Sequence, residues 1–222
     1  MEEENLLVSL LTEGSVSSFT DLFYLAHRGL APGEPPEEPA VLRAIAASLA
    51  EGEAARRAGD TEKLLGSLHA TGAHYAAAAK PGCAVMFFTR ALALARGGCA
   101  NLAREMQCLR DLGLCEFARG DLAGACSHHE ARRALALRAA DAPAIAQSAA
   151  DLVAVRTLQA KGAEDKGAVR DSLRFFELAL EAARHAGSAE AEAELSYSVG
   201  RAYALAGSAA EAVAHLAAFV RG

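Results

Sequence analysis

The chain has 222 residues, 52% of them hydrophobic and only 5% aromatic, and its 22 Lys and Arg face 28 Asp and Glu for a formal charge of −6. That is too apolar for a disordered chain and too acidic, with its charges dispersed, for one that neutralises nucleic-acid phosphates. No apolar run approaches the roughly 18–20 residues a membrane-crossing helix needs. The start, Met1-Glu2-Glu3-Glu4-Asn5, lacks the basic region of a signal peptide. Cys83, Cys99, Cys108, Cys115 and Cys126 form no CxxC pair, so a cytoplasmic protein with reduced thiols is expected.

Alanine and leucine dominate while Val, Ile and Thr are sparse, which favours helix over sheet. In chain order, the apolar three-and-four spacing predicts helices near 4–13 and 17–29. Their stripes are Leu6, Leu7, Leu10, Leu11 and Phe19, Leu22, Phe23, Leu25. Residues 1–29 read as an N-terminal helical cap, and the acidic, proline-rich stretch 30–39 reads as a linker. Helices follow near 39–58, 61–79, 81–97, 100–119, 121–140, 142–162, 167–186, 189–206 and 208–221. Asp60 and Asp121 stand where N-caps belong, Pro81 and Pro143 suit first turns, and Ser208 with Glu211 spells a capping box.

A repeat underlies this order. Ala84, Ala125, Ser172 and Ala212 open alternate helices at separations of 41, 47 and 40. Twelve residues before each stand Gly72, Gly113, Ala160 and Gly200. Five before stand Ala79, Gly120, Gly167 and Gly207, and four after stand Phe88, His129, Phe176 and Leu216. Small residues at two crossing points let paired helices approach, a large residue fills the gap beside them, and glycine permits a left-handed helix exit. Small–x2–Tyr followed by Ala–x3–Phe–x2–Ala resembles the tetratricopeptide repeat. The implied fold is all-α, a right-handed superhelix of antiparallel helix pairs over 40–222, with repeats near 65–105, 106–152, 153–192 and 193–222. The second repeat has Glu116 in the Tyr position, and the third is degenerate, with irregularity expected around Gly162–Gly167.

No GxGxxG, Walker, HExxH or GxSxG motif occurs. Cys126 and His129 share a helical face, but two ligands fall short of a zinc site, and no third group orients them as a catalytic pair. The expectation is a protein that is not an enzyme and takes no metal, cofactor or small-molecule substrate. First helices of stacked pairs line the concave face of such folds. In this register they present His69, Gln107, Arg110, Phe117, Lys161, Tyr197 and Arg201, a mildly basic, aromatic-bearing groove suited to an acidic or amphipathic peptide. Some tetratricopeptide proteins clamp a chaperone tail with Lys and Asn at set groove positions. Leu114 stands where that pattern wants Asn, so that ligand is not expected.

The opening Asn5-Leu-Leu-Val-Ser-Leu-Leu-Thr-Glu-Gly14 with Ser18-Phe19-Thr20-Asp21-Leu22-Phe23 resembles the tetratricopeptide repeat protein 29 family. So do Arg110–Gly120 and Ala191–Tyr203. The resemblance implies an axonemal scaffold for cilium or flagellum assembly and beating, with dynein-arm components or the intraflagellar transport machinery as partners. It also implies further repeats, which would cover Val213, Leu216, Phe219 and Val220. A general cytosolic adaptor for groove-bound peptides is the alternative.

Overall fold

The computed structural model describes residues 2–27, 38–97 and 101–221. The linker residues 30–37 and Cys99 lie outside them. Among the described residues all regular secondary structure is helical, in eleven elements: α1 (Glu2–Thr12), α2 (Val16–His27), α3 (Pro39–Ala58), α4 (Thr61–Ala77), α5 (Pro81–Gly97), α6 (Leu102–Ala118), α7 (Leu122–Ala139), α8 (Ala142–Asp165), α9 (Val169–Ala186), α10 (Ala189–Leu205) and α11 (Ala209–Arg221). None of these helices is long and apolar enough to cross a membrane. The chain falls into two units, Met1–Arg119 and Gly120–Gly222.

Short connectors dictate the architecture inside each unit. A helix that ends and restarts within two or three residues must fold back on its predecessor. Two connector types alternate. One has two residues, a left-handed residue and then the N-cap of the next helix. Gly59 (φ 71°) precedes Asp60, whose carboxylate accepts from the Lys63 amide at 3.0 Å. Ala140 (φ 53°) precedes Asp141, which accepts from Ala144 at 3.0 Å. Gly187 (φ 70°) precedes Ser188, which accepts from Ala191 at 3.3 Å. The other type has three residues with the left-handed one in the middle, at Ala79 (φ 58°), Gly167 (φ 70°) and Gly207 (φ 82°). With Gly120 (φ 81°), these are the four turn positions of the sequence repeat.

The crossing points are equally regular. A Cβ on Gly72 of α4 would lie 2.8 Å from the Phe88 ring of α5. A Cβ on Gly200 of α10 would lie 2.9 Å from Leu216 of α11. The third repeat places Ala160 and Phe176 together in one buried cluster with Ala179, Leu180, Val199 and Ala202. In these three repeats equivalent sequence positions therefore occupy equivalent sites, and each unit is a solenoid-like series of helix pairs.

The first unit runs from α1 to α6, and α1 and α2 pack on α3. Its core holds Leu22, Ile45, Leu65, Tyr75, Phe87, Phe88, Leu109 and Leu112. Tyr75 stacks on Phe87, with ring centroids 5.9 Å apart. Side chains tie the first helices of successive pairs: His69 meets Asp111 at 2.7 Å and Arg104 meets Glu62 at 3.1 Å, both between α4 and α6. The second unit runs from α7 to α11, and there Arg201 of α10 reaches back to Glu164 of α8 at 2.9 Å. The third repeat is not irregular where expected. The helix α8 continues through Gly162 to Asp165, because Ala163 is buried and the left-handed exit comes only at Gly167. Glu116, in the Tyr position of the second repeat, is buried and pairs with Arg119 one turn on at 2.8 Å.

Candidate interaction surfaces

The helix α2 begins with no acidic residue in its first turn, so its leading amides need an acceptor from elsewhere. The acceptor comes from α3. Glu53 Oε2 accepts the Ser18 amide at 2.9 Å. The Ser18 hydroxyl lies 2.9 Å from both that oxygen and the Leu49 carbonyl, so its one proton serves either. Arg57 donates to Glu53 Oε1 at 2.7 Å and also to the Gly14 carbonyl. Burial pushes the Glu53 carboxyl up, but the hydrogen bonds from Ser18 and Arg57 and the Arg57 charge outweigh it and hold the group below its ordinary range. Arg56 donates to the Ser17 hydroxyl at 2.9 Å. Further along α2, Asp21 takes both terminal nitrogens of Arg90 on α5, at 2.8 and 3.3 Å. Polar groups thus clasp α2 to the helices beneath it.

Beneath that clasp lies a cleft of about 420 Å³, walled by α2, α3, α4 and α5. Its apolar surface comes from Val16, Leu49, Leu64 and Leu68. Two hydroxyls on its walls are engaged by the backbone: Ser67 donates to the Ser48 carbonyl, and Thr71 donates to the Ser67 carbonyl at 2.9 Å. Gly52 allows the close approach of α3 to α4 here, since a Cβ would lie 2.9 Å from Ser67 Oγ.

The groove positions divide between the two units. In the first, His69 is half-buried, bonded to Asp111 and against the Phe88 ring at 5.2 Å between centroids. Gln107 and Arg110 are exposed on α6, with Leu114 exposed one turn on, and Phe117 is half-buried. In the second, Lys161 is exposed on α8, one turn before Glu164. Glu164 accepts two hydrogen bonds from Arg201, both at 2.9 Å. Tyr197, one turn before Arg201, is exposed and lies 5.3 Å from the Phe219 ring. The Arg201–Glu164 pair therefore brings Lys161, Tyr197 and Arg201 to one face of α8 and α10, with the arginine charge already matched. Val213 and Val220 on α11 are 66% and 82% exposed, and with Leu216 they line an open, almost wholly apolar hollow.

Cys126 and His129 do not converge on a shared ligand position. The Cys126 thiol faces Gln159 at 3.5 Å, while buried His129 places Nδ1 3.6 Å from Asp151. Asp151 also takes Arg132 at 3.3 Å and Gln147 at 3.1 Å, knitting α7 to α8. Among the described residues, no group of three or more His, Cys, Asp or Glu side chains could hold a metal ion. Burial first, and then the Asp111 charge, push the Cys108 and Cys115 thiols up to about 11.

No protein-family model matches the chain, and no curated protein matches it. Among solved structures it is similar to BtubC (BKLC) from P. vanneervenii, at 13% identity over 83% of this chain and 91% of that one, with a TM-score of 0.38. A likeness at that level carries no weight for fold or function.

Proposed function

We propose that this protein is a non-catalytic scaffold that holds other proteins together, and that it works in the axoneme of cilia or flagella. The scaffold reading is supported chiefly by the crossing-point geometry. Gly72 under Phe88 and Gly200 under Leu216 build rigid helix pairs, and such pairs present extended side faces rather than a closed reaction centre. The ciliary assignment is supported by the likeness of Glu13-Gly14 and Ser18-Phe19-Thr20-Asp21-Leu22-Phe23 to the tetratricopeptide repeat protein 29 family. No repeat consensus calls for that string, and here Gly14 (φ 75°) turns α1 into α2 while Ser18 and Asp21 fasten α2 to α3 and α5. Dynein-arm components and the transport machinery are the partners this reading supplies. Proximity labelling from the full chain in a ciliated cell tests it: axonemal or transport-particle proteins are expected among the labelled, and an exclusively non-ciliary set refutes the assignment.

A general peptide adaptor is the second reading. It is favoured by the exposed cation Arg110 and by the Lys161, Tyr197 and Arg201 face. It expects capture of an acidic peptide that Arg110→Glu weakens; binding indifferent to that change removes it.

A further inference from the structure

From the cleft beneath α2 we infer a docking site for an acidic, leucine-bearing segment of a partner protein. The inference deepens the scaffold reading and rests on it. Two observations carry it, the cavity and the way its charges are layered.

The volume of about 420 Å³ falls in the range of ordinary ligand sites, about 300–1,000 Å³. Leu49, Leu64, Leu68 and Val16 supply an apolar lining for one or two aliphatic side chains. The charges cancel in number, Glu53 and Asp21 against Arg56 and Arg90, but not in exposure. The Glu53 side chain is 5% exposed and Asp21 26%, whereas Arg56 is 57% and Arg90 44%. Arg90 spends both terminal nitrogens on Asp21, whereas Arg56 lies 3.7 Å from the nearly buried Glu53 carboxylate and keeps most of its side chain exposed. What an arriving segment meets is therefore the exposed Arg56 beside an apolar lining, and the complement is a carboxylate next to an aliphatic side chain. Arginine adds geometry to charge. Arg56 spends one terminal nitrogen on Ser17 and, at 3.7 Å, on Glu53, and its remaining donors can take a second carboxylate.

The chemistry of Ser17 makes the site testable without harming the fold. Ser17 is exposed, lies in the first turn of α2 and already contacts Arg56. Ser17→Asp places a carboxylate where a helix N-terminus favours one and where it pairs with Arg56 in the chain itself. The fold keeps or gains thermal stability while the Arg56 charge is taken up within the chain.

The experiment is fluorescence polarisation of the full chain with a short fluorescein-labelled peptide of alternating leucine and glutamate. Binding is expected, falling as salt is added. Arg56→Gln and Ser17→Asp are each expected to weaken it roughly tenfold, with the thermal midpoint of Ser17→Asp at or above that of the parent. Arg110→Glu is expected to leave it unchanged. No binding overturns the inference, as does equal binding of the leucine–glutamine counterpart or affinity indifferent to Arg56→Gln and Ser17→Asp. Binding lost with Arg110→Glu alone moves the site to the α6 face, so the cleft fails while the scaffold reading stands. Failure of the scaffold reading itself is read separately, from the proximity labelling.

Discussion

Two glycines in one helix respond in opposite directions to the same substitution. Gly66 and Gly72 both lie inside α4. Replacing an interior helical glycine with alanine gains about 1 kcal/mol from backbone preference alone. At Gly66 nothing stands within 4 Å of the added methyl, so Gly66→Ala is expected to stabilise by about that amount. At Gly72 the methyl meets Phe88 Cε1 at 2.8 Å, Cδ1 at 2.9 Å and Cζ at 3.1 Å. The Phe88 ring is buried and backed by His69, so it cannot swing clear and the helices must part. Overpacking of this kind costs about 1–3 kcal/mol, which outweighs the backbone gain and leaves Gly72→Ala destabilised by about 1 kcal/mol. The two variants should therefore differ by about 2 kcal/mol around the parent. Gly200→Ala falls between them: its methyl meets Leu216 Cγ at 2.9 Å and the Ala212 carbonyl at 3.2 Å, but Leu216 is half-buried and can turn. Urea unfolding followed by far-ultraviolet circular dichroism gives the three midpoints. A Gly72→Ala midpoint raised as far as that of Gly66→Ala would falsify the register on which the helix pairing stands.

Other consequences follow from strain, burial and titration. Ala79 and Ala140 hold left-handed backbone at φ 58° and 53°. A left-handed conformation costs a non-glycine residue about 1–2 kcal/mol, and glycine returns about 0.4–1 kcal/mol through the unfolded chain. Ala79→Gly and Ala140→Gly should thus each gain about 0.5–1 kcal/mol, and a lowered thermal midpoint contradicts this. Glu53 is held below its ordinary value of 4.5 in the folded chain. Its ionised form therefore stabilises the protein above that value, and the contribution is lost as the pH falls through the folded one. Glu53→Gln should be destabilised by about 1–3 kcal/mol at neutral pH, with the gap to the parent narrowing on acidification; a constant gap down to pH ~3 argues against an ionised clasp. Cys108 and Cys115, pushed up to about 11, should alkylate slowly at pH ~8 until urea is added. Peptide mapping reads this directly, and equal labelling rates with and without urea refute it.

Local chemistry made the helices legible. Each connector is written as a left-handed residue beside a cap, and each crossing as a small residue twelve positions before another. Ala79 was readable as a left-handed turn even without glycine, because its column is glycine in the other three repeats. Gly162 misled for the converse reason: glycine commonly ends a helix, yet here it sits in open space inside one. The ties between distant residues were not legible. Ser18 and Glu53 are 35 residues apart, His69 and Asp111 are 42, and Glu164 and Arg201 are 37. No local pattern marks a partner at that range, so His69 and Arg201, which looked free in the sequence, turn out to be engaged.

In the second unit each helix meets chiefly the helices beside it in the chain. Cohesion there is arranged in series, joint by joint, rather than around a shared centre. Contacts close in sequence form quickly, so assembly can begin at any joint and spread outward. Damage is confined in the same way: a weakened joint loosens its two flanking helices and leaves the rest standing. Over evolutionary time a whole pair can be gained or lost between two left-handed turns without redrawing the others.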